Sequence, residues 1–241
     1  MKKTILLLLA SFLVAFSFAQ NKIINDANAE VRNVSGFHGI RVSHGIDLVI
    51  KQGSTEAVAV SAAEKEYRDR IKTEVVNGVL KIYYDNEKWF KGYNSHGKRL
   101  RAYVSFKQLD LVDGSSGSST TVDGAMSAGN LKLDLSSGAG FNGEVQATSL
   151  KVDESSGATA HVNGKAQSLS VETSSGAGFY GYEFTTDKCD ADASSGGNIQ
   201  VTVNKELSAE ASSGGDIRYK GAGVITRVSS SSGGSIKSSS K

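Results

Sequence analysis

Ser155-Ser156-Gly157 lies at the centre of Leu150–Ala160, which reads LKVDESSGATA, and the same tripeptide recurs through the second half of the chain. Its first serine occupies positions 115, 136, 155, 174, 194, 212 and 231, so the spacings are 21, 19, 19, 20, 18 and 19 residues. A fixed period of this length is typical of a repeat protein built from stacked coils.

Apolar residues keep register with the tripeptide on both sides. They occur five and three residues before its first serine, and again five residues after it. The three columns are Leu131, Leu150, Leu169, Cys189 and Leu207; Leu133, Val152, Val171, Ala191, Ala209 and Val228; and Phe141, Ala160, Phe179, Ile199, Ile217 and Ile236. Apolar residues two apart indicate strands with one buried face, whereas a flexible Ser/Gly linker would not preserve such columns. The sequence predicts an all-β fold, a β-solenoid of about seven Ser-Ser-Gly coils of ~19 residues.

Composition narrows the classes of function. The 27 Lys and Arg residues nearly balance 25 Asp and Glu, and the net charge of +2 gives no reason to expect a nucleic-acid partner. The chain has one cysteine, Cys189, which cannot form an internal disulfide. Because Cys189 falls in a leucine column, we expect it to be a small buried hydrophobe.

Residues 1–19 have the pattern of a secretory signal peptide. Lys2 and Lys3 precede an apolar stretch, and Ser17-Phe18-Ala19 has small residues at its first and third positions. We expect cleavage before Gln20 and export to the periplasm, the cell surface or the extracellular space. Since no other stretch approaches the length of a membrane span, the mature chain is expected to have no transmembrane segment.

The region before the repeats is less regular. Alternating apolar residues over 31–108 predict an irregular β portion packed on one end of the coils of 109–241, and Asn77-Gly78 predicts a two-residue hairpin turn. We expect residues 20–241 to form a single domain; the alternative is two domains divided near Leu109. Each coil is also expected to contain a second turn, near Asp123-Gly124, Asn142-Gly143, Asn163-Gly164 and Asn204.

Four stretches resemble a known family of exported bacterial proteins. They are Phe37-His38-Gly39-Ile40-Arg41-Val42, Ile46-Asp47-Leu48-Val49-Ile50, Asn77-Gly78-Val79-Leu80-Lys81-Ile82 and the successive Leu-x-Val…Ser-Ser-Gly coils. From about Val31 onward the chain resembles the family named "putative auto-transporter adhesin, head GIN domain". The resemblance implies a β-solenoid with an exported, surface-related role, and it brings no catalytic residues.

An acidic residue stands two positions before each of the first six tripeptides. The column comprises Asp113, Asp134, Asp153, Glu172, Asp192 and Glu210. Stacked coils lie ~4.8 Å apart, so these side chains are expected to form one exposed acidic ladder. Either it is a hydrated face relieved by Lys132 and Lys151, or it is a binding site. As a site it would hold Ca²⁺ through Asp134, Asp153, Glu172 and Asp192, or it would bind a basic partner. The sequence implies no other cofactor.

The segment 88–99 combines aromatic and basic residues without strand alternation. Trp89, Phe90, Tyr93 and His96 on an exposed loop would form a binding site, since aromatic rings stack on sugars and anchor protein partners. The alternative is that Trp89 and Phe90 fold back to cap an open end of the solenoid. None of the histidines His38, His44, His96 and His161 occurs in a zinc-binding spacing.

These features favour an exported, non-enzymatic, adhesin-like binding or structural module. It would bind a surface glycan or protein through an extended solenoid face or the 88–99 loop. The alternative is a carbohydrate-active solenoid enzyme, a polysaccharide lyase or hydrolase. An enzyme requires a non-repeating cluster of two or three ionisable groups in a groove, whereas a binding or structural module requires only ladders.

Overall fold

The computed structural model describes residues 26–85 and 97–239. Within these ranges lie one short helix and sixteen strands that form a single sheet. The elements are β1 (Glu30–Arg32), β2 (Gly39–Val42), β3 (Asp47–Gln52), β4 (Ala57–Ser61), α1 (Lys65–Asp69), β5 (Ile71–Val76), β6 (Val79–Tyr84), β7 (Arg101–Phe106), β8 (Leu111–Gly114), β9 (Ser119–Leu135), β10 (Gly140–Glu154), β11 (Thr159–Thr173), β12 (Gly178–Ala193), β13 (Asn198–Ala211), β14 (Asp216–Lys220), β15 (Val224–Ser230) and β16 (Ser235–Ser238).

The long strands β9 to β13 stack in parallel as the coils of a solenoid. Each runs from one Ser-Ser-Gly turn to the next, and the register places Leu150 of β10 between Leu131 and Leu169 of its neighbours. The strand segments before the turns form one wall and those after the turns form the other, with the apolar core between them. The predicted β-solenoid of about seven coils is confirmed.

The Ser-Ser-Gly turns are tight and stack on one another. In the coil of β10 and β11, Ser156 and Gly157 both have positive φ, at 54° and 72°, and the amide of Ala158 donates to the carbonyl of Ser155. Positive φ at both central residues is the requirement of a type I′ turn. The Gly157 amide also donates to the carbonyl of Ser175 in the next coil, at 3.1 Å.

The N-terminal portion is more regular than the sequence predicts. Ser43-His44-Gly45 forms a turn of the same kind, with φ of 62° at His44 and 68° at Gly45, and Gly45 donates to Ser116 of the following turn. Strands β2 and β3 on either side of it pair in parallel with the first repeat coils. The Ser-Ser-Gly pattern does not identify this coil, because histidine occupies the position of the second serine. The Asn77-Gly78 hairpin between β5 and β6 is confirmed.

The predicted second turn in each coil is wrong. At Asn142-Gly143 and Asn163-Gly164 the chain continues as one strand, and the pairing register shifts there instead. Gly164 has a φ of 115°, and a Cβ there would lie 2.2 Å from the carbonyl oxygen of Val145. Glycine thus permits a β-bulge that bends the strand from one wall to the other.

The core columns are buried as expected. Leu133, Leu150, Val152, Leu169, Val171 and Ile199 all have side chains withdrawn from solvent. Cys189 occupies the leucine column between Leu169 and Leu207, and burial raises the pKa of its thiol to about 12. Cys189 is therefore a packing residue rather than a reactive thiol.

One ionisable group is buried in the same interior. Glu154 is 3% exposed and lies between Leu135 and Thr173 in the column that precedes the turns. Neither carboxyl oxygen has a hydrogen-bond partner in the described part of the chain. Burial raises the pKa of Glu154 to about 8, so the carboxyl is mostly protonated at neutral pH.

Replacement of a column leucine tests the packing. We expect Leu169→Ala to lower the free energy of unfolding by ~2–5 kcal/mol, because it opens a cavity between two coils. Ser170→Ala changes the adjacent exposed position and serves as the control. Urea denaturation followed by circular dichroism measures both, and equal midpoints would contradict the register.

Glu154 makes stability depend on pH. Its pKa is about 8 when folded, against an ordinary value of 4.5, so its contribution is fully present below pH 4.5 and is lost as pH rises toward 8. The slope within that window approaches roughly 1.4 kcal/mol per pH unit. We expect Glu154→Gln to remove this slope, measured by urea denaturation between pH 4 and 8 relative to wild type. Glu172→Gln, on the outer face, is the control and should keep the wild-type slope.

Candidate functional site

A column of polar and aromatic side chains follows the turns on the outer face of one wall. It lies six residues after each first serine, directly beside the buried column at position five. Its members are Asn142, His161, Tyr180, Gln200, Arg218 and Lys237, and the parallel register brings each beside the next. The buried neighbours fix the backbone, so the outward direction of these side chains is set by strand alternation.

The middle of this column lies beside a β-bulge. Between Gly181 and Thr185 of β12 are three residues, whereas the paired positions of β13, Val201 and Thr202, are adjacent in sequence. Of the three, Phe184 is buried, while Tyr182 and Glu183 remain at the surface. Bulges of this kind redirect side chains and occur often beside functional sites.

The column and the bulge together line a groove of about 310 Å³. Its lining residues are Asn142, His161, Val162, Asn163, Tyr180, Tyr182, Glu183 and Gln200. These residues come from four successive strands, β10 to β13. The site therefore exists only when the coils are stacked.

Two aromatic rings from neighbouring coils stack face to face in the groove. His161 and Tyr180 stack with their centroids 4.8 Å apart and their planes 13° from parallel. Tyr180 is 37% exposed, a large value for an aromatic residue on a strand. Gly178 lies beneath it, and a Cβ there would approach Cε2 of the Tyr180 ring to 3.0 Å. Glycine at this position thus leaves room for the ring.

Tyr182 is fixed by contacts on three sides. Its hydroxyl is 2.7 Å from Oγ of Ser239, and its carbonyl accepts a hydrogen bond from Oγ1 of Thr202 at 2.8 Å. The ammonium of Lys220 lies 4.2 Å from the centroid of its ring. These contacts hold Tyr182 in place at one side of the groove.

The polar residues of the groove are available to a ligand. The side-chain amides of Asn142, Asn163 and Gln200 have no hydrogen-bond partner among the described residues. Each can both donate and accept. Aromatic rings with such groups beside them are suited to a ligand that has an apolar face and many hydroxyl groups.

The acidic ladder lies on the opposite wall, and the register aligns its members as the sequence predicts. Basic residues neutralise its first half: Nε of Arg41 lies 2.6 Å from Asp113, and Nζ of Lys132 lies 2.7 Å from Asp134 and 3.1 Å from Asp153. Farther along, burial and the neighbouring Glu210 and Asp190 raise the pKa of Asp192. No group of three or more His, Cys, Asp or Glu side chains in residues 26–85 and 97–239 is arranged to hold a metal ion.

The aromatic residues of the predicted loop, Trp89, Phe90, Tyr93 and His96, lie outside the described residues. The strands on either side of the loop are β6 and β7, which pair with β2 and β3. Binding at the 88–99 loop and capping by it both stay predictions.

Comparison with known protein families shows which family the chain belongs to. The model of the family described as "Putative auto-transporter adhesin, head GIN domain" matches residues 36–223. The chain belongs to this family. The resemblance predicted from the sequence is confirmed, and comparison with curated proteins gave no match.

Solved structures share the fold of this head GIN domain. A "putative adhesin" from Bacteroides fragilis has a TM-score of 0.79 at 14% identity, with 88% of this chain and 96% of that chain covered. A "putative adhesin" from Parabacteroides merdae has a TM-score of 0.66 at 16% identity, covering 88% and 95%. A "putative lipid binding protein" from Parabacteroides distasonis has a TM-score of 0.65 at 19% identity, covering 89% and 98%.

Sequence reasoning missed the groove of this head GIN domain. It finds no zinc-binding spacing at His161 and gives Tyr180 no role. The available signal was their spacing of 19 residues, which places both at the outward position next to a buried column. The bulge that exposes Tyr182 and Glu183 had a weaker signal, the 20-residue spacing from Ser174 to Ser194.

Calcium binding at the acidic ladder stays a prediction. A cation that binds only the folded state would raise stability by ~2.7 kcal/mol at a hundredfold excess over its Kd. On this hypothesis CaCl₂ raises the melting temperature more than NaCl at matched ionic strength, and Asp153→Asn with Glu172→Gln abolishes the difference. Equal shifts with the two salts would indicate screening alone.

Proposed function

We propose that this head GIN domain is an exported, non-enzymatic, adhesin-like binding module that contacts surface glycans through the outer face of its solenoid. The observation that carries the proposal is the exposed His161–Tyr180 stack. It lies in a groove that also contains the unpaired side-chain amides of Asn142, Asn163 and Gln200. Sugar rings have an apolar face of C–H groups that packs on aromatic rings, while their hydroxyls require donors and acceptors around them.

The chemistry of the groove supports binding rather than glycoside hydrolysis. Its lining contains one carboxylate, Glu183, whereas hydrolysis of a glycosidic bond ordinarily uses a pair. Its other ionisable groups are His161 and the phenols of Tyr180 and Tyr182. A glycoside hydrolase is therefore the less supported alternative.

Export fits both the family and the start of the chain. The family consists of proteins described as auto-transporter adhesins, and residues 1–19 have the pattern of a signal peptide. Over the described residues, no helix combines the length and apolar character needed to cross a bilayer. We propose that the mature domain acts at the cell surface.

The 88–99 loop is a second proposed contact region. It connects β6 and β7, which stack on the first coils, whereas the groove lies on β10 to β13. A partner at the loop would therefore not need the groove. Trp89→Ala and Tyr180→Ala distinguish the two regions, since each should affect only its own ligand.

A glycan array probed with the purified mature protein tests the proposal. We expect wild type to bind a defined set of glycans and Tyr180→Ala to lose about tenfold or more in affinity, because a buried stacking ring contributes ~1–3 kcal/mol. Tyr180→Phe keeps the ring and should retain most binding. No glycan bound, or equal binding by Tyr180→Ala, would contradict the proposal, provided that thermal melts show all variants folded.

A further inference from the structure

The column that contains Tyr180 changes character toward the C-terminal coils. Beyond Tyr180 it continues as Gln200, Arg218 and Lys237, each paired in register with the one before. With strands ~4.8 Å apart, Arg218 lies about 10 Å and Lys237 about 14 Å along the column from Tyr180. An uncharged aromatic surface is thus followed by cations along the solenoid axis.

These cations are accessible. Nε of Arg218 donates to Asp216 at 2.8 Å, but the side chain remains 52% exposed, and its other N–H groups have no partner among the described residues. Lys237 is exposed and has no carboxylate partner in the described part of the chain. Lys220, which packs over Tyr182, adds a third positive charge on the same wall.

In the other direction the column is uncharged. Before His161 it runs through Asn142, Thr121 and Val49. The single carboxylate in the groove lining, Glu183, belongs to the bulge of β12 rather than to the column. The unpaired carboxylates of the acidic ladder lie on the opposite wall. Any anionic part of a ligand is therefore favoured over the C-terminal coils.

We infer that the groove binds an acidic polysaccharide, with one sugar ring on Tyr180 and carboxylates of the following sugars on Arg218 and Lys237. The inference rests on the proposed function and adds the ligand's charge and direction. The chain would lie along the solenoid axis, across the strands. Gln200, between ring and cations, would bond to hydroxyl groups of the intervening sugar.

An acidic peptide would also be attracted to the cations, but it fits the remainder of the site less well. The stacked His161 and Tyr180 rings and the three unpaired side-chain amides match a sugar ring, which has an apolar face and hydroxyls on its edge. A peptide would more readily pair with a strand edge, whereas β10 to β13 are paired on both sides. Polyglutamate therefore serves as the non-sugar comparison.

Isothermal titration calorimetry with three polymers tests the inference. Polygalacturonate supplies anionic sugars, its fully methyl-esterified form supplies the same backbone without charge, and polyglutamate supplies charge without sugar. We expect wild type to prefer polygalacturonate over the ester by about tenfold or more, since only the acid form can make charge-assisted hydrogen bonds to both cations. Added NaCl should reduce this preference.

Variants separate the two parts of the site. Arg218→Gln with Lys237→Gln should bring the two galacturonans to within about twofold of each other, because the charge-dependent contacts are removed. Tyr180→Ala should weaken both by a similar factor. Lys72→Gln alters an exposed lysine on β5, away from the groove, and should behave as wild type.

Equal wild-type affinity for the ester and the acid, or equal affinity for polyglutamate, would overturn the inference. If a glycan array with neutral sugars still shows Tyr180-dependent binding, the proposed function survives that result. If neither galacturonan binds and the array is also empty, both the inference and the proposed function are contradicted.

Discussion

The hydrogen bond from each turn glycine to the next turn fixes the geometry of the whole solenoid. From Gly45 to Gly214, seven turn amides donate to the carbonyl of the second turn residue in the following coil, at 3.0–3.2 Å. The bond requires positive φ at both central residues, which costs ~1–2 kcal/mol at a residue that carries a Cβ. Serine accepts this conformation seven times because the stacked bonds and the adjacent core compensate for the strain.

That one constraint explains which parts of the fold the sequence predicts. A turn that recurs in register forces the residues three and five positions before it into the interior, so Leu169 and Val171 could be assigned to the core by counting. Cys189 follows from the same count. The turn at His44 could not be found by this count, because the turn needs a backbone conformation rather than a particular side chain. His44-Gly45 adopts that conformation without the Ser-Ser-Gly pattern.

Prediction failed where local signals were ambiguous. Asn163-Gly164 is a typical turn dipeptide, but here its glycine allows close approach to the Val145 carbonyl within a continuing strand. Glu154 has an equally misleading signal, since the alternation places it inward while its charge suggests solvent. Burial raises its pKa to about 8, so the interior contains a mostly neutral carboxyl group at neutral pH. The bulge at Gly164 and the burial of Glu154 are both determined by how complete coils stack, not by the local sequence.

The candidate site also depends on the stacking of the coils, but its outward side chains do not have to fit the packing of the core. Inward positions must fill a core of fixed spacing, whereas outward positions on a paired strand contribute little to stability and can vary. Ligand contacts can thus change by single outward substitutions while the scaffold persists. A one-residue insertion is more consequential, because the extra residue must leave the ladder as a bulge. Relative to β11, β12 has one extra residue between Tyr180 and Phe184, and the resulting bulge places Tyr182 and Glu183 beside Tyr180. The outer face thereby acquires a groove to which four coils contribute.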